Sequence, residues 1–300
     1  MKIAVVGAGA MGSVYACLLA AAGNDVWAVD VWRDHVEAIE ASGLRVDGAS
    51  GDRTVCLRAT TEPGEVGRCE LVVLATKAAD VEPAARALEP LIGRETSILT
   101  IQNGLGSVER LTRVVEPERV IVGVAGGFGA SIVAPGHVHH NGWELVRIGE
   151  PGRPATARTR RIADAWRRAG FNIQVDDDID LAIWEKLVCN TAFSGICVLL
   201  ECRIGDVLDQ PAAWQVATSC AAETFDTGRA EGIAFTFEDP AAYVRAFGER
   251  IPDARPSALL DYLAGRRSEI DVLNGAIPRP VNQAVAALVR AKESRARPAS

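Results

Sequence analysis

The chain has 300 residues, 48% of them hydrophobic and 24% charged, with 28 glycines and 14 prolines spread along it. That length is about two domains' worth and can bury a core without disulfides or a structural metal, while the composition excludes disordered, collagen-like and coiled-coil chains. With 32 basic against 39 acidic residues the net charge is −7, which argues against a nucleic-acid partner, whose footprint is a basic surface.

The first third alternates short apolar runs with helical patterns. Residues 3–6, 26–29, 71–75, 97–101 and 120–124 read as strands, and 44–46 and 55–57 as two shorter ones. Between them, 11–22, 33–41, 81–91 and 108–114 read as helices. Apolar strands alternating with helices predict a parallel sheet covered on both faces. From residue 128 the pattern changes: 129–133, 136–139 and 144–148 read as short antiparallel strands with turns at Pro135-Gly136 and Asn141-Gly142, and 154–169 as a helix. After Val175 the chain reads as helical, over 178–200, 211–231, 240–247, 257–264 and 269–276. Prolines 211, 240 and 256 suit helix starts. The expected division is therefore 1–175 as a dinucleotide-binding domain and 176–300 as a helical domain for substrate and dimerisation, with a frayed tail at 294–300.

Seven cysteines at 17, 56, 69, 189, 197, 202 and 220 contain no Cys-x-x-Cys pair, and read as reduced thiols of a cytoplasmic protein. Glycines 7, 9 and 12 interrupt the apolar start, so no signal peptide is expected, and no uninterrupted apolar run is long enough for a membrane span. His137, His139 and His140 crowd one short strand without a convincing carboxylate or cysteine partner, so no metal is expected.

Gly7-Ala8-Gly9-Ala10-Met11-Gly12 is a GxGxxG turn that follows a predicted strand and opens a predicted helix. The first glycine permits the tight turn, the second clears room for a pyrophosphate, and the third lets helix and strand approach. The helix N-terminus then offers unpaired N–H groups to the anion. Asp30 ends the second strand, 23 residues after Gly7. Its carboxylate can accept the ribose hydroxyls of NAD and would repel the 2′-phosphate of NADP. Arg33, three residues on, could bind that phosphate or be a solvated residue of the first helical turn.

Lys77 and Asn103 follow two further strands at the edge where such sheets bind ligands. In the helical half, Lys186, Asn190 and Ser194 are spaced by four and four, so they share one helix face. A lysine in an otherwise apolar segment needs a partner or a snorkelling path to water.

Together these segments resemble the ketopantoate reductase (2-dehydropantoate 2-reductase) family almost end to end. The likeness is carried by the glycine turn at 7–12, Ala75-Thr76-Lys77, Gln102-Asn103-Gly104, Trp184-Glu185-Lys186-Leu187 with Asn190, Arg255-Pro256-Ser257, Gly265 to Asp271, and Asn274-Gly275. The resemblance implies a Rossmann-like parallel sheet domain followed by an all-helical C-terminal domain of the 6-phosphogluconate-dehydrogenase kind. It implies NADPH as cofactor, whereas Asp30 leans to NAD. It implies Lys186 as general acid and Glu269 as its catalytic or orienting partner, with Lys77, Asn103, Asn190 and Ser257 lining cofactor or substrate, and Ser194 in a substrate-binding position. The implied substrate is a small anionic 2-keto acid, by default 2-dehydropantoate, in a cytoplasmic enzyme of pantothenate biosynthesis. Apolar helices in the second half are compatible with a homodimer.

Three features depart from that family. Ser194 stands where a second asparagine is usual, followed by Gly195 in place of proline, so a wider pocket and a bulkier keto acid are expected there. The end of the second strand lacks the family's basic residues. The segment around Ile277–Asn282 is shortened. These departures keep open a D-2-hydroxyacid dehydrogenase of the mandelate type using NAD, and a non-catalytic dinucleotide-binding protein; a dehydrogenase for a phosphorylated sugar would need an arginine cluster beyond Arg266-Arg267.

Overall fold

The structure, a computed structural model, describes residues 1–127, 129–142 and 145–296. The expected strand start at Glu144 and the end of the expected frayed tail, 297–300, lie outside those residues. The chain divides into two units, one of Met1–Gln102 with Ser107–Ile179 and one of Asn103–Gly106 with Asp180–Ser300. The division by contacts thus falls a few residues after 175 and carries the turn at 103–106 with the helices.

In chain order the first unit begins with β1 (Lys2–Val6), α1 (Ala10–Ala21), β2 (Asp25–Val29), α2 (Arg33–Ser42), β3 (Leu44–Gly48), β4 (Arg53–Val55), β5 (Arg58–Thr60), β6 (Cys69–Leu74) and α3 (Val81–Arg86). It continues with β7 (Ile92–Thr100), α4 (Ser107–Thr112), β8 (Val120–Gly126), β9 (Gly129–Ala134), β10 (His137–Gly142), β11 (Leu145–Gly149), α5 (Ala157–Arg168) and β12 (Ile173–Val175). The main sheet has the order β12-β11-β8-β7-β6-β1-β2-β5. From β5 to β8 every pairing is parallel; β11 runs antiparallel to β8 and parallel to β12. The strand order reverses at β1, which pairs with β2 on one side and β6 on the other. A crevice at the carboxyl ends of the strands is the usual consequence of such a reversal.

Only two of the three expected antiparallel strands form a hairpin. β9 and β10 pair with each other, and β10 adds parallel to β3, giving a second sheet of order β4-β3-β10-β9. Of the expected strand at 55–57 only Val55 is in a strand, the end of β4 in the small sheet; residues 56–57 link it to β5 on the edge of the large one. Helix α1 packs against strands of both sheets, which is why Gly12 through Leu19 are all buried and the helix has no polar face. The expected helix over 81–91 stops as α3 and resumes as a 3-10 turn at Glu89–Leu91, because Pro90 lacks the N–H an α-helix would use.

The second unit consists of α6 (Ile179–Leu200), α7 (Ile204–Asp209), α8 (Pro211–Ala230), α9 (Pro240–Arg250), α10 (Ser257–Leu263) and α11 (Pro280–Ala296). Val188, Ala192, Phe193, Ile196, Cys197 and Val198 of α6 lie in its core. By length and composition α6 could cross a membrane, but 61% of its most apolar window is buried inside the protein. Helices α7 and α11 lie beyond the elements read from the sequence. The expected helix over 269–276 is instead two 3-10 turns, Ile270–Val272 and Asn274–Ala276, separated by Leu273 at φ −100° and ψ −107°. The Val272 carbonyl, which an α-helix would turn inward, accepts the Leu105 N–H at 3.0 Å.

Candidate functional site

Around the reversal of strand order, the glycine turn is fixed by backbone contacts. Gly7 and Ala8 both donate to the Val29 carbonyl, at 2.8 and 3.3 Å. Gly7 has φ +90°, and a Cβ there would lie 2.6 Å from the Thr76 nitrogen. A Cβ on Gly12 would lie 2.0 Å from the Gly7 carbonyl oxygen. Gly9 differs: nothing stands within 4 Å of the place its Cβ would occupy. Gly9 caps α1 with no side-chain hydrogen bond, and the N–H groups of Gly9, Ala10, Met11 and Gly12 have no acceptor among the described residues. Two glycines are thus forced by close backbone approach, and the third leaves open space beside unpaired donors. That is the form a dinucleotide pyrophosphate requires.

The neighbouring strand ends bring Asp30, Thr76 and Lys77 to the same edge of the sheet. Asp30 is partly buried and its Oδ1 accepts the Trp32 N–H at 2.9 Å. Arg33 lies exposed, 3.9 Å from Glu37. Lys77 is exposed at the start of the 3-10 turn Ala78–Asp80. Gln102 holds this edge from behind, its Nε2 donating to the Leu74 and Thr76 carbonyls at 2.7 and 3.0 Å.

A second cluster lies in the helical unit. Lys186 of α6 donates from Nζ to Asn103 Oδ1 at 2.7 Å, and Asn103 Nδ2 donates to Glu269 Oε2 at 3.4 Å. The asparagine amide therefore stands between ammonium and carboxylate, using one end for each. Burial lowers the Lys186 pKa from 10.5 to about 8, against the opposing pull of the Glu269 charge. The glutamate charge works to raise this pKa, but desolvation outweighs it. Asn103 owes its place to Gly104, which has φ +77° and sits so close to Val272 that a Cβ would lie 2.1 Å from that carbonyl oxygen. Thus the 103–106 turn is docked on the segment that carries Glu269.

Asn190, one turn beyond Lys186, is partly exposed, and its side chain has no hydrogen bond among the described residues. Ser194 shares the same face by spacing but is buried, 2% exposed. Ser257 is exposed at the first residue of α10 and has no described contact with Lys186, Asn103 or Glu269. The structure therefore brings Lys186, Asn103 and Glu269 together, with Asn190 on the same helix, and leaves the two serines outside that hydrogen-bonded cluster. The histidines of the small sheet do have a carboxylate partner, which the sequence reading missed: His137 and His139 bond to the two oxygens of Asp47 at 2.8 and 2.5 Å. Even so, no cluster fit to hold a metal occurs among the described residues.

Behind the cluster runs a buried polar network. Asn274 Nδ2 donates to the Thr191 carbonyl and to Asn282 Oδ1 at 2.8 and 2.9 Å, while Asn282 Nδ2 donates to the Cys220 carbonyl and Glu223 Oε2 at 3.0 and 2.9 Å. It ties α6, α8 and α11 together through the segment 274–282. The same approach of α11 explains Gly195, since a Cβ there would lie 2.3 Å from Val285 Cγ1. Gly195 thus belongs to helix packing. A signal for the network lay in the sequence as Pro280 followed by Asn282, but its partners are distant in the chain.

Residues 3–153 match the family model described as ketopantoate reductase PanE/ApbA, and 178–293 match the model of its C-terminal domain. The chain is 31% identical over 319 residues to a 2-dehydropantoate 2-reductase of Mesorhizobium japonicum, covering 97% of each. Among solved structures, a PanE/ApbA family ketopantoate reductase from Ralstonia eutropha JMP134 superposes with TM-score 0.89 at 32% identity, covering 99% of each chain. A D-mandelate dehydrogenase in a ternary complex with NADH and anilino(oxo)acetate superposes with TM-score 0.91 at 27% identity, again covering 99% of each. From the two domain models and these full-length relatives, the chain belongs to the ketopantoate reductase family and is an oxidoreductase.

Proposed function

We propose that this enzyme reduces a 2-keto acid to the 2-hydroxy acid with NADH or NADPH, and that 2-dehydropantoate is its substrate. The observation that carries the reading is the Lys186–Asn103–Glu269 cluster, in which an ammonium with a pKa near 8 is aimed by an amide. A bound reduced nicotinamide supplies the hydride that the carbonyl carbon receives. The chain's own task is then to neutralise the charge growing on the carbonyl oxygen. Lys186 is still mostly protonated at pH 7 and supplies both a positive partner and a proton. Asn103 fixes the ammonium through Oδ1, and Glu269 orients that amide through its Nδ2. Asn190, with an uncommitted amide beside Lys186, is assigned to the substrate's carboxylate or hydroxyl. The glycine turn of residues 7–12 is assigned to the pyrophosphate, Asp30 to the adenosine ribose, and Lys77 to the nucleotide's exposed side. Seven free thiols among the described residues suit the reducing cytoplasm.

A second reading has one specific motive. Asp30 presents a carboxylate where NADP would place a phosphate, and Arg33 is exposed and drawn toward Glu37. This favours NADH, the nucleotide bound to the structurally similar D-mandelate dehydrogenase, and with it a bulkier 2-keto acid. Steady-state reduction of 2-dehydropantoate and of phenylglyoxylate, each with NADH and NADPH, separates the two. Turnover of 2-dehydropantoate supports the proposal; turnover of phenylglyoxylate alone, with NADH, replaces it by the second reading.

A further inference from the structure

Between the glycine turn and the start of α2 lies a buried chain of hydrogen bonds that the reading above does not use. His35 is fully buried, and its Nδ1 accepts the Gly136 N–H at 3.0 Å. An acceptor at Nδ1 places the ring proton on Nε2, which lies 3.1 Å from Ser13 Oγ. Ser13, also fully buried, passes its own proton on, Oγ donating to the Ala8 carbonyl at 2.7 Å. The chain thus has one direction throughout: Gly136 N–H to His35, His35 to Ser13, Ser13 to Ala8. Burial keeps the imidazole neutral, against the opposing pull of Asp30 and of the Ala8 carbonyl, as an accepting Nδ1 requires.

The last bond decides where the next peptide points. In a trans peptide the carbonyl and the following N–H are antiparallel, and no cis bond occurs among the described residues. With the Ala8 oxygen held by Ser13, the Gly9 N–H points the opposite way, and it has no acceptor among the described residues. The other half of the nucleotide edge is joined to the same ring. Trp32 stacks on His35 with centroids 5.0 Å apart and planes 12° from parallel, and its N–H is held by Asp30.

We propose that His35 and Ser13 are positioning residues for the dinucleotide: they lock the Ala8–Gly9 peptide so that the Gly9 N–H is preset toward the pyrophosphate. This rests on the dinucleotide reading of the glycine turn. Calorimetric titration of the full chain with NADH and NADPH, together with steady-state kinetics, tests it in Ser13→Ala, His35→Leu and His35→Gln. Ser13→Ala is expected to weaken the preferred nucleotide about tenfold, the size of one lost hydrogen bond to a buried group. Its nucleotide KM should rise alike, with kcat at saturating nucleotide and the keto-acid KM within about twofold of wild type. His35→Leu should behave the same way, and adding Ser13→Ala to it should cost little more, since both break one chain. His35→Gln can place an amide N–H near the Nε2 position and should recover most of the affinity, a recovery that a purely structural role would not show. Nucleotide affinity within twofold of wild type in folded Ser13→Ala, or equal losses in Gln and Leu variants that track melting temperature, overturns the lock while leaving the dinucleotide site standing. Failure of the wild-type chain to bind either nucleotide overturns the dinucleotide reading itself, and the lock with it.

Discussion

Replacing Gly104 with alanine tests whether the position of Asn103 governs the chemistry. The alanine must adopt φ near +77°, which costs an L-residue about 1–2 kcal/mol. Its Cβ would start 2.1 Å from the Val272 carbonyl oxygen, whereas even a close carbon–oxygen contact needs about 3.3 Å. The 103–106 turn or the Ile270–Val272 turn must therefore give way by about 1 Å. The obvious victim is the Leu105 N–H bond to the same carbonyl, 3.0 Å long and worth about 1 kcal/mol. Destabilisation of about 2–4 kcal/mol is expected, read as a lower melting temperature. The catalytic consequence should be larger in proportion. Asn103 meets Lys186 at 2.7 Å and Glu269 at 3.4 Å, and a shift of about 1 Å in such a constellation costs on the order of 100-fold in rate. Steady-state kinetics below the melting temperature should show that loss in kcat for keto-acid reduction. Nucleotide binding by calorimetry should be nearly unchanged, because the atoms nearest the added Cβ all belong to Val272. A folded Gly104→Ala enzyme with wild-type kcat would refute the idea that the Asn103 amide aims the lysine.

Three further outcomes follow from the titrating groups. The rate of keto-acid reduction should fall as pH rises through about 8, where Lys186 loses its proton, and a profile flat to pH 10 would remove Lys186 as the donor. Because the folded pKa lies below the unfolded 10.5, folding expels this proton between about pH 8 and 10.5, so over that window wild type should gain stability relative to Lys186→Met. Glu150 has the same pH sense in a lower window, but here it is the charged form that the fold favours. It is 1% exposed; burial works to raise its pKa, but hydrogen bonds from Thr156 and Thr159 and the charge of Arg158 outweigh that and hold it near 2 against the usual 4.5. That depression corresponds to about 3 kcal/mol of stability, present above pH 4.5 and lost as pH falls toward 2. Glu150→Gln should lower the melting temperature at pH 7 and leave the variant nearly level with wild type at pH 2; an equal gap at both values would refute the assignment.

Much of the sheet unit was legible because its signals are local. Buried parallel strands read as unbroken β-branched and leucine runs, and the glycine turn declares itself by spacing and by what flanks it. The pairing of the later strands was not legible in the same way. Residues 129–148 alternate like strands, but alternation names a face and not a partner, so nothing local showed that β10 would join β3 while β11 joined β8. The segment at 269–276 failed for a related reason. Its apolar spacing suits a helix, yet the Val272 carbonyl is taken by Leu105, a residue far away in the chain.

The candidate site divides along the same line. Lys186 and Asn190 were readable because an interval of four places side chains on one helix face, a rule that needs no knowledge of the rest of the molecule. Asn103 was noticed as a polar residue after a strand, but its work depends on contacts 83 and 166 residues distant. Those contacts also set the electrostatics. Sequence placed a lysine that needs a partner and a glutamate implied as one, without saying how burial and charge would balance on it. The structure orders them: desolvation of the lysine outweighs the charge of Glu269, while the Asn103 amide bonds both groups. Burial, set against the pull of the glutamate, is what leaves the lysine near pH 8, where it can both hold and surrender its proton.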